Sequence, residues 1–94
     1  MNESQLTKKI VAALRDAGVW AVKIHGGPHQ SRGLPDVIAC CDGQMIGLEV
    51  KLPAKRHTVT RLQEITLRDL SNHGAVTAVV TSEQEALDAV LCTD

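Results

Sequence analysis

Residues 33–51, GLPDVIACCDGQMIGLEVK, contain two short runs of strand-forming residues separated by Asp42 and Gly43. An Asp-Gly pair between two such runs is typical of a β-hairpin with a two-residue turn. With this pair at the centre of the turn, counting outward along both strands places Asp36 directly opposite Glu49. Directly opposed side chains on a hairpin have Cβ atoms about 4.5–5.5 Å apart. The sequence therefore predicts that two carboxylates meet at the open end of the hairpin.

Side chains alternate between the two faces of such a hairpin, and the two faces differ in chemistry. One face ends in Asp36, Glu49 and Lys51. The other carries apolar residues that we expect in the core, namely Val37, Ala39, Ile46, Leu48 and Val50.

The paired carboxylates have two interpretations. In a poorly solvated site they repel each other, unless one is protonated or a cation lies between them. Mg²⁺ and Mn²⁺ bind carboxylate, water and phosphate oxygens, so a divalent cation is a natural partner. The alternative is a surface hairpin in which Asp36 begins a strand and Glu49 and Lys51 are solvated.

The order of these residues resembles a nuclease superfamily. Glu3, then Gly33-Leu34-Pro35-Asp36, then Glu49-Val50-Lys51, then Gln63 is similar to the PD-(D/E)xK pattern, and specifically to the small VRR-NUC branch, which is similar to archaeal Holliday-junction resolvases. A PD…ExK string alone occurs by chance in many proteins. The preceding glycine, the early acid and the downstream glutamine make the match more specific, and it covers nearly the whole chain.

The resemblance implies metal-dependent hydrolysis of a DNA phosphodiester. It implies that Asp36, Glu49 and the backbone carbonyl of Val50 hold one Mg²⁺ or Mn²⁺ ion, which lowers the pKa of a bound water and stabilises charge on the phosphate. Glu3 would support a second ion or an outer water. Its simpler interpretation is an acid at the positive end of a helix dipole.

Lys51 and Gln63 are further candidates for the catalytic site. A general base must be neutral, which the neighbouring carboxylates disfavour at Lys51, although bound metal would partly cancel their effect. We therefore expect Lys51 to act as a cation that orients the nucleophile and stabilises developing charge. The resemblance assigns Gln63 to the rim of the site, where its amide would orient the attacking water or a phosphate; on residue pattern alone it is ordinary helix surface.

Branched DNA is the substrate that the resemblance implies, in particular a four-way junction cut by a homodimer. Alternatives are a nicking or restriction-like endonuclease acting on linear duplex, and a nucleic-acid-binding subunit of the same fold that does not cleave. The residues expected to contact the DNA backbone without reading bases are Arg32, Lys55, Arg56, Arg61, His25 and His29.

Apolar spacing, capping residues and glycines predict an α/β protein of the order αβββαβα, which matches the restriction-endonuclease-like fold of the resembled family. Its mixed sheet should be flanked by helices. The predicted elements are a helix opened by Asn2 or Ser4 and closed by Gly18, a strand over 19–24, the two hairpin strands, a helix opened by Thr58 or Thr60, a strand over 75–81, and a helix opened by a Ser82-x-x-Glu85 capping box.

Composition sets further bounds. The 94 residues carry a formal net charge of −1, one Trp and no Phe or Tyr, so we expect one VRR-NUC-like domain over 1–94 with an aliphatic core. Base-stacking modules normally need several aromatic residues, which argues against an RRM- or OB-like binding protein. Lys51, Lys55, Arg56 and Arg61 precede the next acid, Glu64, and this local basic segment suits phosphate binding.

The cysteines and apolar runs indicate a cytoplasmic protein that is neither secreted nor membrane-bound. Three cysteines, two of them adjacent at Cys40 and Cys41, do not form a disulfide framework, and we expect this pair as small buried groups. A zinc site formed with His25 and His29 is disfavoured because the spacing matches no zinc signature. No apolar run approaches the roughly 20 residues that span a bilayer.

Overall fold

A computed structural model describes residues 1–26 and 32–91 and confirms the order αβββαβα, with one additional 3₁₀ helix. The elements are α1 (Glu3–Asp16), β1 (Trp20–Lys23), β2 (Val37–Cys41), β3 (Gln44–Val50), the 3₁₀ helix η1 (Pro53–Thr58), α2 (Arg61–Asn72), β4 (Val76–Val80) and α3 (Glu83–Leu91). Asn2 caps α1 and Thr60 caps α2, each through a complete capping box. None of the helices in the described ranges is both long and apolar enough to cross a membrane.

The four strands form one mixed sheet in the order β1-β2-β3-β4. The β1–β2 and β2–β3 pairs are antiparallel, whereas β3 and β4 are parallel. Asp42 and Gly43 form the hairpin turn with φ of 51° and 81°, the left-handed conformation that an Asp-Gly turn of this kind requires. Pairing runs from Cys41 opposite Gln44 to Val37 opposite Leu48, so the predicted register is confirmed.

The core lies between one face of the sheet and the helices α1 and α3. It is aliphatic, as expected, and all five apolar hairpin residues are buried in it. The buried apolar side chains are Leu6, Ile10, Val11, Leu14, Val19, Ala21, Val37, Ala39, Ile46, Leu48, Val50, Val80, Ala86 and Val90.

The other face of the sheet is only partly covered. Helix α2 contacts β3 and β4 but buries none of its own residues, and Leu62 and Ile65 are exposed. Within residues 1–26 and 32–91, no helix covers strands β1 and β2 on this side, where Trp20 and Cys40 are exposed. The expectation that both adjacent cysteines are buried is therefore wrong for Cys40, because no helix of the described residues covers its face of the strand.

Two glycines allow α2 and the 33–36 loop to pack closely beside the hairpin. Gly33 has a φ of +82°, and a Cβ there would lie 2.8 Å from Cγ of Leu62. A Cβ on Gly47 would lie 3.1 Å from Cγ of Pro35 and 3.3 Å from Cδ1 of Leu70. Side chains at either position would push α2 or the loop away, so these glycines fix the start of α2 against the segment that carries Asp36.

Candidate active site

Asp36 lies where three strands come together. Its backbone carbonyl accepts a hydrogen bond from Ile24 N–H at 2.8 Å, just beyond the end of β1. Its Oδ2 accepts a hydrogen bond from Val50 N–H at 2.8 Å, at the end of β3. Continuing the hairpin register by one residue past the Val37–Leu48 pair places Asp36 opposite Glu49. The predicted meeting of the two carboxylates is therefore present.

Glu49 is an almost fully buried carboxylate, with 1% of the residue exposed. Its Oε2 accepts a hydrogen bond from Nε2 of Gln63 at 2.9 Å. Its Oε1 is buried and has no hydrogen-bond partner among the described residues. An unsatisfied buried carboxylate oxygen is costly in a folded protein, which marks this atom as a candidate ligand for a cation.

The protonation of Glu49 reflects the same surroundings. The pKa of Glu49 is raised from 4.5 to about 9, chiefly by burial and in part by hydrogen bonding with, and charge repulsion from, the adjoining Asp36 carboxyl. The positive charge of Lys51 lowers the pKa of Glu49, whereas the negative charge of Glu3 raises it. In the absence of a cation, the pair is therefore best accommodated when it shares a proton.

Lys51 follows β3 directly and is 8% exposed. Its backbone N–H donates to the carbonyl of Val80 at 3.0 Å, which anchors it beside β4. The ion pairs within the described ranges join other residues, so the Lys51 ammonium is not committed to a carboxylate there. The N–H of the preceding Val50 points toward Asp36, and its carbonyl leaves the strand on the same side.

Glu3 is half-buried at the first turn of α1 and lines a cleft of about 320 Å³ together with Asp36. The cleft also contains a pair that the sequence reasoning missed, in which Nζ of Lys23 donates to Oγ of Ser4 at 2.8 Å. The position of Lys23 as the last residue of β1, just before His25 and Gly26, is the signal that would have found it. His25 is exposed at the same cleft.

The donor set fits Mg²⁺ or Mn²⁺. Within the described part of the chain, no group of three or more His, Cys, Asp or Glu side chains is placed to hold one ion, so Asp36 and Glu49 stand as a pair. Mg²⁺ commonly takes one or two carboxylates and completes its shell with water and phosphate oxygens. Two hard oxygen ligands, one of them buried without a partner, meet that requirement.

The candidate DNA-binding residues are only partly brought together. Lys55 in η1, Arg61 at the start of α2, and Arg32 before the Gly33 turn are all exposed. Arg61 forms an ion pair with Glu64 at 3.7 Å. His29 lies outside the described residues.

Arg56 is held by α3 rather than left free. Its Nη2 donates to Glu85 Oε2 at 2.5 Å and to Thr81 Oγ1 at 2.9 Å. Hydrogen bonds from the backbone of Thr81 and from Arg56 hold the pKa of Glu85 below its usual value. The Glu85 carboxylate therefore does not close the predicted capping box, although Ser82 Oγ still accepts from Glu85 N–H at 3.0 Å.

A mixed sheet flanked by helices, with an Asp, a Glu and a Lys at the ends of adjacent strands, defines the restriction-endonuclease-like class of nuclease fold. The family model of the archaeal Holliday junction resolvase (Hjc) matches residues 3–81, and the chain belongs to that family.

Among solved structures, the chain is similar to Hjc from Archaeoglobus fulgidus, described as a Holliday junction resolvase from an archaeal hyperthermophile. The TM-score is 0.54 at 18% identity, over 81% of this chain and 64% of that one, so the likeness shows the fold and this chain spans less than two thirds of its neighbour. None of the curated proteins matches.

Proposed function

We propose that this chain is a metal-dependent, structure-specific DNA endonuclease that hydrolyses phosphodiesters of four-way junctions. The observation that carries the proposal is the meeting of the half-buried Asp36 with the buried Glu49, beside a Lys51 that forms no ion pair with the described residues. Membership of the Hjc family supports the choice of substrate. Within the wider superfamily, the Gly-Leu-Pro-Asp and Glu-Val-Lys motifs favour a place near the VRR-NUC branch.

Asp36, Glu49 and the carbonyl of Val50 would hold Mg²⁺ or Mn²⁺. When bound, the ion activates a water molecule and stabilises charge on the scissile phosphate. Val50 N–H and Gln63 each hold one oxygen of a carboxylate, which leaves Oε1 of Glu49 for the ion.

Lys51 and Glu3 act around this pair. The Lys51 ammonium lies close enough to Glu49 to affect its ionisation and would orient the nucleophile and stabilise negative charge on the phosphate. Glu3 faces the cleft that contains Asp36 and would support an outer water or a second ion.

Exposed cations around the site would hold the DNA backbone. Lys55, Arg61, Arg32 and His25 are exposed, and His29, which lies outside the described residues, is included on sequence grounds alone. Contacts of this kind fix the position of the DNA but carry no base specificity. Arg56 contributes less charge than these residues because Glu85 neutralises it.

A homodimer would serve a substrate with paired strands to cut. Exposed side chains follow one cross-strand row, Trp20 beside Cys40 beside Met45, and the apolar residues Leu62 and Ile65 of α2 are exposed as well. Burying this face in a symmetric interface would remove it from water and provide two active sites. The proposed location of the protein is the cytoplasm, or whichever compartment contains the host DNA.

Two alternatives lead to different outcomes. A nicking or restriction-like endonuclease would use the same site on linear duplex. A non-cleaving binding subunit would retain the fold, but two adjoining carboxylates, one of them buried, oppose phosphate binding and cost stability. The pair therefore favours a catalytic role.

The proposal is tested by incubating end-labelled four-way junction, flap, single-stranded and linear duplex DNA with Mg²⁺, Mn²⁺ or EDTA. We expect metal-dependent cuts confined to the junction with the parent protein and none with Glu49→Ala. Glu83→Ala, an exposed glutamate on α3, is the matched control and should cut normally. If Glu49→Ala cuts as well as the parent protein, the assignment of Glu49 to the active site is wrong. If the parent protein also cuts linear duplex, the proposed preference for junctions is wrong.

A further inference from the structure

The side-chain amide of Gln63 is bound at both ends. Its Oε1 accepts a hydrogen bond from Thr60 N–H at 2.9 Å, and its Nε2 donates to Glu49 Oε2 at 2.9 Å. The backbone N–H of Gln63 donates to Thr60 Oγ1 at 3.1 Å, which completes the capping box at the start of α2. One side chain therefore joins the start of a helix to a buried carboxylate.

The orientation of this amide is determined by chemistry. A backbone N–H can only donate, so the atom of the Gln63 amide that faces Thr60 must be the oxygen. The NH₂ group must then face Glu49, where it finds an acceptor. Because the helix cap fixes one end of the amide, the other end presents a donor at a fixed place.

We infer that the Gln63 side chain positions the Glu49 carboxylate, and that the backbone N–H of Thr60 holds the Gln63 amide in place. The terminal torsion of a glutamate side chain is broad and can rotate freely. The donor from Gln63 holds Oε2, which fixes the orientation of the carboxyl group and leaves the buried Oε1 without a hydrogen-bond partner among the described residues. The inference rests on the proposed function, because its measured effect is on a cation held by the carboxylate pair.

The hydrogen bond from Gln63 also couples the position of Glu49 to the packing of α2. Leu62, next to Gln63, lies against the Gly33 backbone in the loop that leads to Asp36. The start of α2 therefore contacts both segments that carry the site carboxylates. Leu62 packs against the loop that leads to Asp36, and Gln63 donates a hydrogen bond to Glu49 in β3. Partners that orient a ligand typically change metal affinity or activity by about 10–100-fold when removed.

The test separates orientation of Glu49 from simple helix capping. Gln63→Met keeps the length of the side chain but removes both of its hydrogen bonds. Thr60→Ala removes the hydroxyl cap but keeps the backbone N–H that holds Gln63 Oε1, and Thr60→Ser restores the hydroxyl. Mn²⁺ binding to each protein is measured by electron paramagnetic resonance of free Mn²⁺, together with thermal unfolding followed by circular dichroism without metal.

We expect both Gln63→Met and Thr60→Ala to lower the unfolding midpoint and Thr60→Ser to recover it. Only Gln63→Met should weaken Mn²⁺ binding, by about 10-fold or more, whereas Thr60→Ala should stay within about twofold of the parent. The Mg²⁺ concentration for half-maximal cleavage should rise in Gln63→Met with little change in the KM for DNA.

Other results overturn the inference in distinguishable ways. If Gln63→Met binds Mn²⁺ as tightly as the parent, the Gln63 amide does not position Glu49, while the metal site stands. If Thr60→Ala loses as much affinity as Gln63→Met, the loss follows the stability of the α2 cap and not the hydrogen bond to Glu49, and the inference is overturned. If the parent protein itself binds no Mn²⁺, the proposed function fails and this inference fails with it.

Discussion

Replacing Glu49 with glutamine should stabilise the metal-free protein, and increasingly so as pH rises. The change keeps the size of the buried side chain and its hydrogen bond with Gln63. The new amide would present its NH₂ in the place of Oε1, toward the Asp36 carboxyl, so the orphaned buried oxygen disappears. The variant also removes the ionisable group whose pKa burial raises to about 9.

The magnitude follows from proton linkage. Between pH 4.5 and about 9, the folded protein holds Glu49 protonated whereas the unfolded chain has it ionised. The folded state therefore binds more protons, and the free energy of unfolding falls with pH by at most about 1.4 kcal/mol per unit. From pH 6 to pH 8 the parent loses up to about 3 kcal/mol relative to Glu49→Gln, which corresponds to roughly 10–20 °C in Tm for a domain of this size.

The assay is thermal unfolding of both proteins in EDTA at pH 6, 7 and 8, with Glu83→Gln as a control that should follow the parent. The parent and Glu49→Gln share every other ionisable group, so the difference between their pH profiles reports the Asp36–Glu49 pair. Mg²⁺ should stabilise the parent and reduce its pH dependence, and should leave Glu49→Gln unchanged. Parallel pH profiles for parent and Glu49→Gln would refute this reasoning.

Three further predictions concern the surfaces around the site. Lys55→Gln should reduce the slope of log affinity for junction DNA against log salt concentration by about 1. Arg56→Gln should reduce this slope less, because Glu85 of α3 neutralises the Arg56 charge, and equal slopes for the two variants would contradict this prediction. Gly33→Ala should cost about 1–3 kcal/mol in urea unfolding and more than Gly18→Ala, since both have a φ of +82° but only the first Cβ meets a helix. Ile65→Glu should convert dimer to monomer in sedimentation velocity without unfolding the chain, and an unchanged dimer would exclude α2 from the interface.

The hairpin and its carboxylates could be predicted because they depend on local chemistry. Asp42 and Gly43 fix the turn type, and the period of two then fixes every pairing out to Asp36 and Glu49. Helix boundaries were similarly accessible, since capping residues and glycines act on neighbouring backbone groups.

Contacts between segments that are distant in the sequence could not be predicted from local chemistry. The hydrogen bond from Gln63 to Glu49 and the ion pair of Arg56 with Glu85 depend on how helices lie over the sheet. The exposure of Cys40 likewise depends on which half of a sheet face a helix covers. Apolar periodicity indicates that one face of a helix or strand packs against another element. It does not indicate whether that element belongs to the same chain or to a second one.

The central claim is that Asp36 and Glu49 form the metal centre of a junction endonuclease. It is tested most directly by single-turnover cleavage of an immobile four-way junction in Mg²⁺ by the parent, by Asp36→Asn and by Asp42→Asn, a matched change in the exposed hairpin turn. We predict paired cuts in opposed strands by the parent and Asp42→Asn, and junction binding without cleavage by Asp36→Asn. Cleavage by Asp36→Asn at the parent rate, or a parent that binds the junction and leaves it uncut with Mg²⁺ and with Mn²⁺, would contradict the claim.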